Sequence, residues 1–261
     1  MDLIDTHAHL TYPPLDEQIE AVLARSRDAG VTGWITVGTG PDENPAALKL
    51  AQQHERMWAA LGIHPHNADG VTDEHLSELS DLARDSKVVA IGETGLDYHY
   101  MHSTRENQQR VFRAQLDIAA ALGKPAVIHT REAFDDSLSI LAEYDGRLSG
   151  VVIHCYGGNP DQTREVLRRG YFVSFTGTVT FKKTDDVRQV AAMIPTDRLM
   201  IETDCPYLSP EPVRRVQPNE PALLVHIAAK LAELHNMPLG QFAQTAAKNS
   251  IKFFNLNKKE H

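Results

Sequence analysis

Two rhythms of apolar residues alternate along the chain. Short runs rich in β-branched and aromatic side chains read as strands: Leu3-Ile4, then residues 34–37, 57–62, 88–93, 126–129, 151–154, 171–175 and 199–202. The run 88–93 is apolar almost throughout, the pattern of a strand covered on both faces. Between the strands, apolar residues return at helical spacing. Leu15, Ile19, Val22, Leu23 and Ser26 mark a first helix, closed by Gly30. Further helices are predicted over 45–54, 72–85, 133–144, 161–169 and 185–193. Ser103-Thr104-Arg105-Glu106 has the form of a capping box, opening a helix with Val111, Ala114, Ile118, Ala119 and Leu122 on its buried face. After the last strand come a longer loop, a helix from near Asn219, and a closing helix over Leu239–Phe254.

Eight strands alternating with helices through short connections imply parallel strands with helical crossovers. The count and length predict an α/β fold, a (β/α)8 TIM barrel, as a single domain over residues 1–261 with a closing C-terminal helix. An open doubly wound sheet is the alternative, but no Gly-x-Gly-x-x-Gly follows the first strand.

The polar residues that close the apolar runs change the picture. His7 and His9, one residue apart in Asp5-Thr6-His7-Ala8-His9, point to one side of an extended segment. Glu93, His129, His154 and Asp204 stand at the ends of strands four, five, six and eight. In a parallel barrel all those ends surround one opening, and core packing gives no reason to place His, Glu and Asp there. Any one of them reads as a hydrogen-bonded loop residue; together they read as a metal site. Six donors exceed what one open catalytic zinc takes, and suit two neighbouring cations. His7, His9 and Asp204 would hold one, His129 and His154 the other, with Glu93 between them.

Composition narrows the function. The chain has 42% apolar and 23% charged residues and a formal net charge of −9, so no global positive field draws in nucleic acid. Two cysteines, Cys155 and Cys205, argue against a disulfide scaffold and for a reducing compartment. Neither a basic, apolar leader nor a run of membrane-spanning length is visible, so the expectation is a cytoplasmic protein away from membranes, and no obligate protein partner is inferred.

The motifs Asp5-Thr6-His7-Ala8-His9-Leu10, Gly62-Ile63-His64-Pro65-His66, Gly92-Glu93-Thr94-Gly95-Leu96-Asp97-Tyr98, His129-Thr130-Arg131, His154-Cys155-Tyr156, Glu202-Thr203-Asp204-Cys205-Pro206-Tyr207-Leu208 and Asn219-Glu220-Pro221 run nearly the length of the chain. In their order and spacing the chain resembles the TatD family of metal-dependent deoxyribonucleases, among the amidohydrolase-like barrels. The family's metal ligands fall on His7, His9, Glu93, His129, His154 and Asp204. The resemblance implies activity with magnesium or manganese; four imidazoles lean toward zinc, manganese or cobalt. Two departures stand out: Pro218 precedes Asn219-Glu220-Pro221 where family members often carry Arg, with Arg214 and Arg215 nearby, and Thr11 stands where Asp is common.

Two cations can activate one water and stabilise charge on a leaving oxygen, which suits phosphodiester hydrolysis. The expectation is a 3′-5′ exodeoxyribonuclease acting on single-stranded DNA or 3′ ends, with Asp204 and Glu93 in catalytic roles. His64 and His66 would donate to phosphate, and Arg131 would grip it through both guanidinium arms. Tyr156 either stacks on a base or packs. Glu202, one alternation before Asp204, would orient a ligand histidine. Asp97 and Tyr98 read as props of the strand-four loop. The alternative activity is a metal-dependent ester or amide hydrolase, such as a D-aminoacyl-tRNA deacylase, which the net charge suits better. A non-catalytic metal-stabilised scaffold is the third reading.

Overall fold

Strand pairing follows the order of the chain. In the computed structural model, which describes residues 1–256, the strands are β1 (Leu3–Ala8), β2 (Val31–Gly38), β3 (Met57–Leu61), β4 (Val88–Asp97), β5 (Ala126–Arg131), β6 (Val151–Ile153), β7 (Phe172–Phe175) and β8 (Leu199–Ile201). They form one eight-stranded sheet in the order β1 to β8. Helices α1 (Ile19–Asp28), α2 (Glu43–Gln53), α3 (Asp73–Leu82), α4 (Arg105–Leu122), α5 (Phe134–Ala142), α6 (Pro160–Arg168), α7 (Asp185–Met193), α8 (Leu224–Leu234) and α9 (Leu239–Phe254) follow the strands. Parallel strands in sequential order with helical crossovers make a (β/α)8 barrel, as the alternation predicts. Residues 257–261, the end of the domain expected over 1–261, lie outside the described residues. Among those described, no helix is long and apolar enough to cross a membrane.

Contacts group the chain into two compact units. One comprises Met1–Thr36 and the chain from Cys155 onward. In it β1 pairs with β2 (Leu3 with Val31, Asp5 with Trp34) and β7 with β8 (Val173 with Leu199). Leu3, Leu23, Phe175, Ile227 and Phe242 are in its core.

The other unit is Val37–His154. Here β4 is paired in parallel with β3 on one side and β5 on the other, and all ten of its residues are buried. Two buried glutamines of α4 grip the strand ends. The Gln115 amide accepts from Ile63 N–H (2.7 Å) and donates to the Ile63 carbonyl (3.0 Å). Gln108 does the same for Asp97, at 2.8 and 3.0 Å. A buried amide that satisfies both groups of one backbone residue fixes that residue where the sheet ladder ends.

The structure corrects several boundaries. The predicted strand 88–93 runs on to Asp97, so Glu93 lies within β4 and not at its end. The extension follows from pairing: Thr94, Gly95, Leu96 and Asp97 match Ile128, His129, Thr130 and Arg131 of β5. Gly95 allows it, because a Cβ there would lie 2.0 Å from the His129 carbonyl oxygen, at φ +140°. The capping box at Ser103 is not formed. Thr104 caps α4, accepting from Asn107 N–H (3.3 Å), while buried Ser103 donates to the His66 carbonyl (2.8 Å). The first helix begins with a 3-10 turn, Asp16–Gln18, and the helix expected from Asn219 starts only at Leu224 after a turn over Pro221–Leu223.

Candidate metal centre

In the first unit, His7 lies on β1 and His9 just beyond it, while Asp204 follows β8 by three residues. Backbone hydrogen bonds continue past the strand ends: Asp204 N–H donates to the His7 carbonyl (2.9 Å) and His9 N–H to the Cys205 carbonyl (2.8 Å). Buried Asp5 ties the same two segments, its carboxylate accepting from Thr203 N–H (2.9 Å) and the Thr203 hydroxyl (2.6 Å). Burial pushes the Asp5 carboxyl up to about 7 against those hydrogen bonds. Asp204 is therefore held in a left-handed conformation, φ +53°, that a non-glycine residue seldom adopts. Its Oδ1 lies 3.3 Å from His9 Nε2 and 3.7 Å from His7 Nε2.

Asn219 and Glu220 explain the Asn-Glu-Pro motif. The Asn219 amide donates to the carbonyls of Thr203 (2.9 Å) and Tyr207. Glu220 accepts both arms of Arg25 on α1 (2.6–3.0 Å). The motif braces the loop that carries Asp204.

In the second unit, Glu93 Oε1 gathers three imidazoles: His129 Nδ1 at 2.8 Å, His154 Nε2 at 2.8 Å and His64 Nε2 at 3.4 Å. His129 Nδ1 and His154 Nε2 are 3.3 Å apart. Ligands at the usual zinc–nitrogen distance in a tetrahedron stand about 3.3–3.4 Å from one another. The His9–Asp204 distance has the same value. Both donor sets thus fit a divalent cation.

The hydrogen bonds assign the tautomers. His129 Nε2 faces Asp97 Oδ2 at 3.1 Å, and His66 Nε2 faces the same oxygen at 3.0 Å. Asp97 is an acceptor, so His129 carries a proton on Nε2, which leaves Nδ1, 2.8 Å from Glu93 Oε1, as the nitrogen that would face a cation. Burial opposes charge on His129, but its hydrogen bonds to the Asp97 and Glu93 carboxylates outweigh it and raise its pKa. For Asp97, burial works upward while hydrogen bonds from His129 and Tyr100 N–H hold the carboxyl far below its ordinary value.

His64 has the opposite tautomer. Its Nδ1 accepts from His66 N–H (3.1 Å), so the proton is on Nε2, aimed at Glu93. A ring with that nitrogen protonated donates and does not ligate. Burial pulls its pKa down to about 4, so it is neutral at pH 7.

The other expected site residues are placed as follows. Arg131, exposed at the end of β5, lays its guanidinium 4.6 Å over the Tyr100 ring. Tyr156 is only 2% exposed; its ring packs edge-on to Phe175 and its hydroxyl meets Thr163 Oγ1 at 3.2 Å, so it packs and offers no face to a base. Glu202 brings a carboxylate oxygen within 4.8 Å of a ligand atom of His7. The alternation that suggested it does not hold, because β8 ends at Ile201. Its carboxylate accepts from Cys155 N–H and the Ser174 hydroxyl, each at 2.6 Å.

Sequence reasoning missed the bond from Asp97 to His129. The signal was present: on an extended strand Asp97 shares a face with Glu93, four residues before it. It was hidden by ending the strand at Glu93.

The sequence profile of the TatD related DNase family matches residues 4–255. The chain belongs to this family. Among relatives, an uncharacterized metal-dependent hydrolase of Bacillus subtilis, YabD, is 37% identical over 98% of this chain and 100% of its own. A 3'-5' ssDNA/RNA exonuclease, TatD, of Enterobacter lignolyticus is 38% identical over 88% of this chain and 90% of its own. The crystal structure of a TatD homolog from Escherichia coli K12 superposes with a TM-score of 0.91 at 33% identity, covering 97% of this chain and 98% of that one. This TatD-family protein is a metal-dependent hydrolase on a (β/α)8 barrel.

Proposed function

We propose that the protein is a 3′-5′ exonuclease on single-stranded nucleic acid, using two divalent cations. The observation that carries the reading is the gathering of His7 and His9 about Asp204, at 3.7 and 3.3 Å, and of His129 and His154 about Glu93, at 2.8 Å each. Relatives named as ssDNA/RNA exonucleases supply the substrate class.

His7, His9 and Asp204 would hold one cation; Glu93, His129 and His154 would hold the other. Magnesium, manganese or zinc held there would lower the pKa of a water and neutralise charge on the phosphodiester oxygens. Asp204, with its side chain 15% exposed against 0% and 6% for His7 and His9, is the member of its set that solvent reaches, and it takes the proton from the attacking water. Neutral His64 turns its Nε2–H toward Glu93, and Asp97 orients the His129 ring through Nε2.

The test is hydrolysis of end-labelled single-stranded DNA by metal-stripped protein with each metal restored in turn. Stepwise shortening from the 3′ end that needs metal and disappears in Asp204→Asn supports the reading. Absence of cleavage with every metal overturns it. The net charge of −9 favours a second reading, hydrolysis of a small-molecule ester or amide. Salt separates strand binding from small-substrate chemistry, because binding a strand weakens steeply as salt rises.

A further inference from the structure

The loop between β4 and α4 exposes what a folding chain normally covers. Tyr100 is 50% and Met101 42% exposed, side by side. The Tyr100 ring lies parallel to that of His102, at 7° and 5.7 Å between centroids. The Arg131 guanidinium covers it at 4.6 Å, and His66 and His99 meet it edge-on at 5.5 and 4.7 Å.

This arrangement is built at a cost. Met101 (φ +51°) and Glu132 (φ +53°) are non-glycine residues in left-handed conformation, one inside the Tyr100–His102 pair and one directly after Arg131. His99 Nδ1 joins Glu132 Oε1 at 2.7 Å and so clamps the two loops together. Core packing asks for none of this, since the rings face solvent. The array also stands close to the chemistry. His66 is one ring from Tyr100, and its own neighbours are His64 (4.3 Å between centroids) and His129 (6.4 Å).

We propose that Tyr100, with His102 and Arg131, is a stacking platform for a nucleobase of the strand, the base adjoining the nucleotide being removed. The proposal rests on the nuclease reading and adds where the strand gains its affinity. A protein of net charge −9 draws little from phosphate neutralisation. A guanidinium lying over an aromatic ring extends the stack with its own plane, on which any base can stack independent of sequence.

The experiment uses the full chain loaded with manganese and a short single strand carrying 2-aminopurine second from the 3′ end, or an abasic residue at the same place. Wild type should quench the 2-aminopurine on binding, and removing that base should raise KM roughly ten-fold. Tyr100→Ala should lose the quench and raise KM for the complete strand by a similar factor, and the abasic strand should cost it nothing further. Tyr100→Trp should restore both. If the base and Tyr100 contribute independently, so that the two losses multiply, the platform is wrong. If wild type cleaves complete and abasic strands alike, the platform falls and the nuclease stands. If wild type neither cleaves nor quenches with any metal, the nuclease reading falls and the platform with it.

Discussion

Asp97 Oδ2 sits 3.1 Å from His129 Nε2, so a carboxylate near the end of β4 decides which nitrogen of a β5 histidine faces Glu93. The pair is of the kind that fixes a ligand ring and raises its basicity. Asp97→Ala should weaken the cation held by Glu93, His129 and His154 by roughly 10–100-fold. Competition with a chromophoric chelator measures this directly. Unchanged affinity would show that Asp97 only shapes its loop.

Two donor sets predict two ions per chain. Elemental analysis after equilibration with zinc or manganese should find about two in wild type and about one in His9→Ala/Asp204→Ala, by the ligand counts such sites require. The variant should stay folded, with the remaining ion held by Glu93, His129 and His154. One ion in both proteins would contradict the division.

Gly95→Ala places a methyl against the His129 carbonyl at a φ that side chains avoid. The expected loss is about 3 kcal/mol or more, from overpacking and backbone strain together. Urea unfolding of the metal-free protein reads it, and metal binding should fall in parallel because β5 must shift. A variant as stable as wild type would mean that β4 and β5 part there at little cost.

Asn219→Ala removes two hydrogen bonds that hold the segment after β8. Leaving those carbonyls unpaired costs about 1–3 kcal/mol each where water stays excluded. Thermal melting should show it, and the kcat for any substrate should drop because Asp204 rides on that segment. An effect on stability alone would limit the motif to a structural tie.

On α6, hydrogen bonds from Arg168 and Arg169 hold the exposed Glu165 carboxyl down to about 2, from an ordinary 4.5. A depressed carboxyl pKa gives stability that is complete above pH 4.5 and is lost as pH falls toward 2. Carbon-detected NMR titration should find the midpoint near 2 in wild type, and near 4.5 in Arg168→Ala/Arg169→Ala. A midpoint near 4.5 in wild type would mean that the ion pairs are absent in solution.

The fold was legible because period-two runs and helical spacing alternate without a break, and because ligand-type residues close the runs. What lay beyond reach were features that depend on partners far along the chain. The end of β4 is set by pairing with β5, which no property of Thr94-Gly95-Leu96-Asp97 announces. Ser103 has the residue type of a cap but is spent on the His66 carbonyl. The two tautomers, His64 donating and His129 ligating, follow from a neighbouring backbone N–H in one case and a carboxylate in the other. Tyr156 and Tyr100 are alike as letters; burial alone separates a packing ring from an open one.

β4 carries Glu93 in its body and passes into the loop of Tyr100 only after Asp97. β5 pairs with the strand on either side of Glu93, Ile91 with Ala126 and Thr94 with Ile128, and Gln108 holds Asp97 beyond it, so an insertion or deletion near Glu93 would break the register. Past Asp97 the sheet keeps one more bond, from Tyr98 N–H to the Arg131 carbonyl (2.9 Å), and then lets the loop go. One strand thus divides what is fixed from what can drift: the reaction is written into the core, and the choice of what reacts is left to a loop.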